Sequence, residues 1–459
     1  MRPSFLQAFL DHPPERAALS WEGVDYSFGA LREMGERAAG WLRIRNVQPG
    51  DRVCIQLENS VELLAAHLGC MALGAIRVPL NAHYKAAEVA PIIEDSAPRL
   101  VITRTPGLFE GQAVATEVGF AQRQGDWSEG GTTALLFTSG TTGRPKGVPQ
   151  TWDMWTSNLR ALERRWQLGP DDHLWLTLPL FHTHGLVLGL HGCLLRGARC
   201  TLSARFDPVD PPAATHFYGV PTYYRRWLPL MQARPELFRG FKLMVSGSDG
   251  LPAELSDAVF AAIGQRLLER YGMTETVMIA SNPFDGERRA GTVGTPLDGT
   301  EVRIVEGEVQ VRGESVFGGY WPRGEDKAFT ADGFFRTGDA GDWDEQGYLR
   351  IVGRKKDLVI VGGVNVSPAE VERVLGTVKG VAEVGCCGLP DTDLNEVVAA
   401  AVVPDGSVPE AALRAALEAR AQDLSGLKRP RRYAFVEALP KNALGKLQRG
   451  RLPREVFSG

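Results

Sequence analysis

Residues 28 to 105 constrain the fold most, because hydrophobic period switches back and forth between helix and strand several times within eighty residues. Ala30 to Trp41 reads as a helix and Asp51 to Leu57 (DRVCIQL) as a strand. Val61 to Leu73 is apolar at helical spacing, Ala75 to Val78 is strand-like, Glu88 to Asp95 helical and Leu100 to Ile102 extended. Strand, helix, strand at this spacing calls for right-handed parallel units with helices on both faces of the sheet. LWLTLP (174 to 179) and KLMVSG (242 to 247) continue the rhythm as buried strands. From about 300 the texture changes: EVRIVEGEVQVRG reads as a hairpin around Gly307. A third texture begins near 358. Strands at Leu358–Val361, Val381–Gly388, Glu396–Val403 and Arg432–Val436 interleave with helices at Pro368–Leu375 and Glu410–Gln422, an α+β unit of its own. GRKKD, 353 to 357, is the expected boundary, dividing the chain into 1–352 and 358–459.

The 459 residues suffice for two or three domains at ~150 residues each. Hydrophobic residues make up 44% and charged residues 23%, which excludes disorder as the main state. The net charge of −4 argues against an electrostatically driven nucleic-acid binder. The 52 glycines exceed the usual ~7% without any period, which points to many tight turns. The six cysteines (Cys54, Cys70, Cys193, Cys200, Cys386, Cys387) form no CxxC or metal-finger spacing and read as reduced, mostly buried thiols of a cytoplasmic protein. MRPSFLQAFLDHPPERAAL has no secretory character. The longest apolar run, Leu186 to Leu195, falls short of the roughly 20 residues of a membrane span.

The chemistry concentrates in a few segments. TSGTTGRPKG, 138 to 147, packs three glycines, four hydroxyls and one lysine into ten residues after the apolar ALLF. A loop rich in backbone N–H groups and hydroxyls, with Lys146 as a compact cation, suits a polyphosphate, although it lacks the Walker spacing. In YGMTE, 271 to 275, Tyr271 offers an aromatic face, Thr274 a hydroxyl, and Glu275 a hard oxygen of the kind Mg²⁺ takes alongside substrate phosphates. Asp339, after Gly338, can accept from two vicinal hydroxyls, and read alone it is a turn cap. Lys446 lies in a basic tail holding nine Lys/Arg and one acidic residue between 428 and 454, a pattern that alone reads as a solvated face.

Taken together and in order, TSGTTGRPKG, YGMTET (271 to 276), FRTGD (335 to 339), GRKKDLVIVGGVNVSPAEVE (353 to 372) and PKNALGK (440 to 446) resemble the adenylate-forming superfamily of acyl-CoA synthetases, luciferases and peptide-synthetase adenylation domains. The resemblance runs from about residue 20 to 455. It implies an α/β fold with a large N-terminal domain of layered mixed sheets flanked by helices, a small β-barrel-like subdomain, and a small mobile α+β C-terminal domain. It implies ATP, Mg²⁺ and CoA as cofactor and co-substrates. The nucleotide would be held by Thr138, Ser139, Gly140, Thr141, Thr142, Gly143 and Lys146, by Ser248, Asp249 and Gly250 at the adenine, and by Tyr271, Gly272, Met273 and Thr274, with Glu275 on Mg²⁺. Asp339 and Arg354 would take the ribose. Asp249 departs from the small apolar residue commoner there, and Asn442 from the usual threonine.

The same resemblance makes Lys446 the catalytic lysine of the first step, with Thr274 and Glu275 at the phosphates. A carboxylate oxygen attacks the α-phosphorus and pyrophosphate leaves; a thiolate then displaces AMP. The family rotates its C-terminal domain between the steps, about a hinge matched here by Lys356, bringing the Gly362–Gly363 segment to the pantetheine tunnel. A point cation beside the α-phosphate favours the transition state over the ground state.

For the acid, VPTYYRRW, LFHTHGL and ERYGMTETVMIASNP are most similar to malonyl-CoA synthetases within the superfamily. A short dicarboxylate needs a buried cation for its second carboxylate, best a planar guanidinium. Arg226 matches the position of that arginine, with Arg225 as the neighbouring alternative; His182, Ser246 and Met273 would complete the pocket. The resemblance thus implies an acid–CoA ligase for malonate or methylmalonate. A short-chain, medium-chain or aryl monocarboxylate ligase, or a ligase loading a carrier protein, are the alternatives. Small acid and CoA are the expected partners, with neither nucleic acid nor membrane, in a monomer or homodimer. Residues 103 to 130 look contracted, which would trim a peripheral loop near the entrance.

Overall fold

The computed structural model describes residues 4–127, 129–138, 144–322, 328–441 and 447–458. The fold is mixed α/β and divides into two compact units. The first comprises 1–302, 311–335 and 347–349; the second comprises 303–310, 336–346 and 350–459.

Two sheets organise the first unit. The larger has nine strands, in the order 295–296, 280–281, 268–271, 243–246, 216–219, 173–176, 199–202, 17–21 and 24–27. Its six central strands are parallel, and antiparallel strands close both edges. The smaller has six strands, in the order 114–115, 100–103, 52–56, 76–79, 132–138 and 146–151, parallel except for the last. Parallel strands bury both faces, which is why they read as continuous apolar runs. The helix Val61–Leu73 is buried from Leu63 onward, as an all-round apolar helix must be. Ser60 caps its start by accepting from Leu63 N, and Gly74, at φ +74°, ends it.

The contracted segment closes over two helices. Ala121 N donates to Arg37 O, Gln124 N to Glu36 O and Asp126 N to Ala72 O. At Gly40 an added Cβ would stand 2.0 Å from Gln122 O, so the chain can cross there only over a glycine.

The barrel-like expectation takes the form of a four-stranded sheet, 300–305, 308–313, 335–343 and 349–354, in chain order. The second unit carries a five-stranded sheet built on the long antiparallel pair Val381–Asp391 and Asn395–Pro404. Helices Pro368–Leu375 and Glu410–Arg420 pack on it around Val371, Leu375, Leu413 and Leu417. All six cysteines are free and buried. Among the described residues no helix is long and apolar enough to cross a membrane.

Candidate active site

The central strands of the large sheet end together at Leu176, Gly219, Ser246 and Tyr271, and the carboxyl ends of such strands are where open α/β sheets bind ligands. The motif residues 246–250 and 271–275 leave from these ends. Ser246 is the last residue of its strand and fully buried, and its Oγ has no hydrogen-bond partner among the described residues. Ser248 holds φ +69° and lies exposed with Asp249 and Gly250; Asp249 accepts from Gly250 N at 2.9 Å, within its own turn.

The buried cation of this region is Arg270, not Arg226. Arg226 is exposed on the helix Pro221–Ala233, its guanidinium 5.5 Å from the Phe206 ring, and Arg225 is exposed beside it. The helix turns Tyr224, Trp227 and Met231 inward, which leaves both arginines on its outer side. Arg270 is 6% exposed, the third residue of the four-residue strand LERY. Its Nη2 reaches Ser248 Oγ at 3.4 Å, its Nε has no partner, and it makes no ion pair among the described residues. Burial pulls it down to about 9, so it stays charged at neutral pH. Gly247 is required beneath it, since a Cβ there would stand 2.2 Å from Arg270 Cζ.

Of the two histidines, His182 is half-buried and burial lowers it to about 4. His184, in the wide π-type turns of His184–His191, is buried and lies 3.3 Å from Ser248 Oγ through Nδ1. Burial, and then the charge of Arg270, hold it well below its ordinary value, and its Nε2 is unpartnered. Arg270, Ser248 and His184 thus form one connected polar group, of which the motifs pointed only to Ser248. A signal for Arg270 was present: a charged residue inside a largely buried parallel strand must find a partner, either within the protein or in a ligand.

A second cluster is organised around Glu275, which is 5% exposed. Its Oε1 accepts from Tyr320 OH at 2.9 Å and its carbonyl from Phe317 N at 2.8 Å. Lys146 Nζ stands 4.9 Å from the centre of the same Tyr320 ring, so one phenol links the two charged residues. Thr138, at the end of its strand, donates weakly to Lys146 O at 3.5 Å. Tyr271, Gly272, Met273 and Thr274 are half-buried, and Met273 packs against the main core. Ser139, Gly140, Thr141, Thr142, Gly143 and Lys446 lie outside the described residues. Among the described residues no cluster of three or more His, Cys, Asp or Glu could hold a metal. A single carboxylate such as Glu275 still fits Mg²⁺ that arrives with nucleotide phosphates, because that ion keeps most of its shell from phosphates and water.

In the second unit Asp339 is 5% exposed and pairs with Arg354 Nε at 2.9 Å. Arg354 Nη1 also donates to Thr337 O. Gly362 and Gly363, at φ +56° and +81°, form the two-residue turn between strands Val359–Val361 and Val364–Val366, the hairpin geometry that only glycine-like conformations allow. Lys356 is exposed in the short turn Lys355–Asp357.

Residues 6–321 match the AMP-binding enzyme family, and 370–446 match the AMP-binding enzyme C-terminal domain. The malonate–CoA ligase of Arabidopsis thaliana is 32% identical over 525 residues, covering 96% of this chain and 86% of that protein. The indoleacetate–CoA ligase of Aromatoleum aromaticum is equally similar, at 32% identity with 95% and 94% covered. The crystal structure of ATP-bound MatB from Rhodopseudomonas palustris superposes with a TM-score of 0.89 at 35% identity, covering 98% of each chain. The chain therefore belongs to the AMP-binding enzyme family, and it is an AMP-forming acid–CoA ligase that works through an acyl-adenylate, with ATP and CoA as its co-substrates.

Proposed function

We propose that the acid is malonate or a small 2-substituted malonate. The observation that carries this reading is Arg270: a buried guanidinium with an unpaired Nε, beside Ser248 and His184 and near the free hydroxyl of Ser246. A monocarboxylate gives such a cation nothing to hold, whereas the distal carboxylate of malonate supplies an anion with matching planar geometry. Arg270 thereby takes the role first expected of Arg226, with Met273 limiting the length of the acid.

The roles of the remaining residues follow the family resemblance. Lys146 and Thr274 would contact the ATP phosphates, Tyr271 the adenine, Asp339 and Arg354 the ribose, and Lys446 the developing charge at the α-phosphorus. Glu275 would hold Mg²⁺, which when bound supplies neutralising charge at the phosphates. The linker 353–357, with Lys356 exposed, is proposed as the boundary between functional domains 1–352 and 358–459. The six unpaired buried thiols support a cytoplasmic setting.

The test is release of pyrophosphate and AMP with Mg-ATP and CoA across malonate, methylmalonate, acetate, octanoate and benzoate, for the parent and Arg270→Met. Turnover confined to the malonates, falling about 30- to 5000-fold in kcat/KM in the variant, is expected, because removing one partner of a buried charge pair costs ~2–5 kcal/mol. A preference for a monocarboxylate, or an unaffected variant, overturns the substrate.

A further inference from the structure

The loop that carries Thr274 and Glu275 is gripped from outside the recognised motifs. Gln150 is fully buried near the end of the strand Lys146–Thr151. Its Nε2 donates to Thr274 O at 2.6 Å, and its Oε1 accepts from Trp155 Nε1 at 2.7 Å. An indole N–H can only donate, so it fixes the amide the one way round that aims the NH₂ at Thr274. Trp155 is itself immobilised: it is fully buried, lies edge-on to His191 with 4.6 Å between centroids, and has the Arg77 guanidinium 4.9 Å from its ring centre. Arg77 bonds His191 Nε2 at 3.1 Å, and His191 Nδ1 bonds Leu186 O at 2.7 Å.

A second observation shows why the loop needs gripping. Val277, two residues beyond Glu275, is buried at φ +58°, a region a β-branched residue avoids. Such strain persists only where surrounding contacts over-determine it, and it gathers at functional loops. Here the contacts sit on either side of the strained residue. Gln150 holds the carbonyl of Thr274, and Asn158 Nδ2, on the helix Trp152–Trp166, donates to Met278 O at 2.8 Å.

We infer that Gln150 is a positioning residue for formation of the acyl-adenylate: oriented by Trp155, it fixes the peptide that sets the directions of the Thr274 hydroxyl and the Glu275 carboxylate. It touches no substrate. The inference rests on the phosphate and Mg²⁺ roles proposed for those two residues. The strand that bears Gln150 begins at Lys146, so the phosphate lysine and the clamp on the carboxylate loop share one rigid support.

The experiment compares half-reactions in Gln150→Met, which preserves bulk and removes both hydrogen bonds, using whichever acid the parent activates. Pyrophosphate exchange into ATP reads adenylate formation; transfer from preformed acyl-adenylate to CoA reads the second step. Expected is a 10- to 100-fold loss of exchange with a raised KM for Mg-ATP, since misplacing a catalytic group by about 1 Å costs up to ~10²-fold, and a loss of transfer below about fivefold. Trp166→Phe, which removes the bond from Trp166 Nε1 to Ser281 Oγ on the same helix, controls for lost stability and should leave exchange within about threefold. Exchange within threefold of the parent in Gln150→Met, equal loss of both steps, or an equal loss in Trp166→Phe overturns the inference. Should Gln150→Met fail to fold, Trp155→Phe keeps the ring and frees the amide to flip; it should lower exchange about threefold or more, and no loss overturns the inference. A parent that exchanges with no acid at all would instead refute the catalytic reading on which the inference rests.

Discussion

Replacing Glu269 by glutamine should stabilise the first unit, and by an amount that grows with pH. Glu269 sits on the strand Leu268–Tyr271, 6% exposed; its Oε1 accepts from Leu251 N at 3.0 Å and its Oε2 has no partner among the described residues. Burial raises it from 4.5 to about 8, with the Leu251 N–H and the Arg270 charge opposing only in part. Folding near neutral pH therefore takes up a proton. Below pH 4.5 the carboxyl is neutral in both states and this stability is fully present; it is lost as pH rises towards 8. At ~1.4 kcal/mol per pKa unit, the loss is about 3 kcal/mol at pH 7 and about 5 kcal/mol once pH passes the folded value.

Glu269→Gln keeps an oxygen for Leu251 N and removes the titration. Its amide leaves a donor unpaired, but the neutral carboxyl of the parent places an O–H in the same surroundings, so that cost is a constant offset. Nine of the ten tryptophans belong to the first unit, so indole fluorescence during urea unfolding reports on it directly. The variant's advantage should be small at pH 5 and reach several kcal/mol at pH 8.5. Stability curves for parent and variant that run parallel to within about 0.5 kcal/mol across that range would refute the reasoning.

The buried histidines give the opposite slope. Burial holds His67, His184 and His191 well below their ordinary value and lowers His182 and His216 to about 4, so their stability is complete above pH 6.5 and drains away towards pH 4. At pH 5.5 these five should contribute about five protons taken up on unfolding, read from the pH dependence of the urea midpoint; an uptake below two would contradict their burial. Tyr320→Phe keeps the ring beside Lys146 but strips Glu275 of its phenol donor, and should raise the KM for Mg-ATP about tenfold with little change in the KM for acid, from the ~1.5 kcal/mol typical of a hydrogen bond to a charged group. Gly247→Ala drives a methyl into the Arg270 guanidinium, so it should cut malonate turnover at least about tenfold while sparing whatever monocarboxylate activity exists.

Elements with strong end signals could be read to the residue. Val61–Leu73 has Ser60 as its cap and Gly74 as its stop, and Pro368–Leu375 opens on a proline at its first position. The helix expected from Ala30 starts at Phe28 because Ser27 caps it, accepting from Ala30 N, and it runs on to Ile44. The strand expected over 174–179 stops at Leu176, the end of its pairing register. What escaped the sequence was long-range. Residues 121 to 126 are held by backbone bonds to helices more than fifty residues away, which leave no pattern in side chains. The family resemblance pointed to Arg226 for the acid's second carboxylate, but the stripe of Tyr224, Trp227 and Met231 decides which side of that helix is buried, and 226 is not on it. Tyr320 and Gln150 reach the motif residues from other strands and loops, so only the folded chain joins them to Glu275 and Thr274.

Arg77 and Arg270 show how satisfaction, more than burial, separates a structural cation from a receptive one. Both are buried, and burial pulls both down to about 9. Arg77 is saturated: Thr133 O, Thr133 Oγ1 and His191 Nε2 accept from it, and the indoles of Trp152 and Trp155 face it at 5.3 and 4.9 Å. Among the described residues Arg270 has one long bond to a serine and an idle Nε. Removing Arg77 would strand several acceptors, so Arg77→Met should destabilise the first unit by about 3 kcal/mol or more without changing the preference among acids. Removing Arg270 strands almost nothing and deletes an unpaired buried charge, so Arg270→Met should leave stability unchanged or raised by ~1 kcal/mol while activity on malonate collapses. Loss of malonate selectivity in Arg77→Met, or a stability loss in Arg270→Met as large as that of Arg77→Met, would mean the two guanidiniums do the same work and that Arg270 is not held in readiness for an anion.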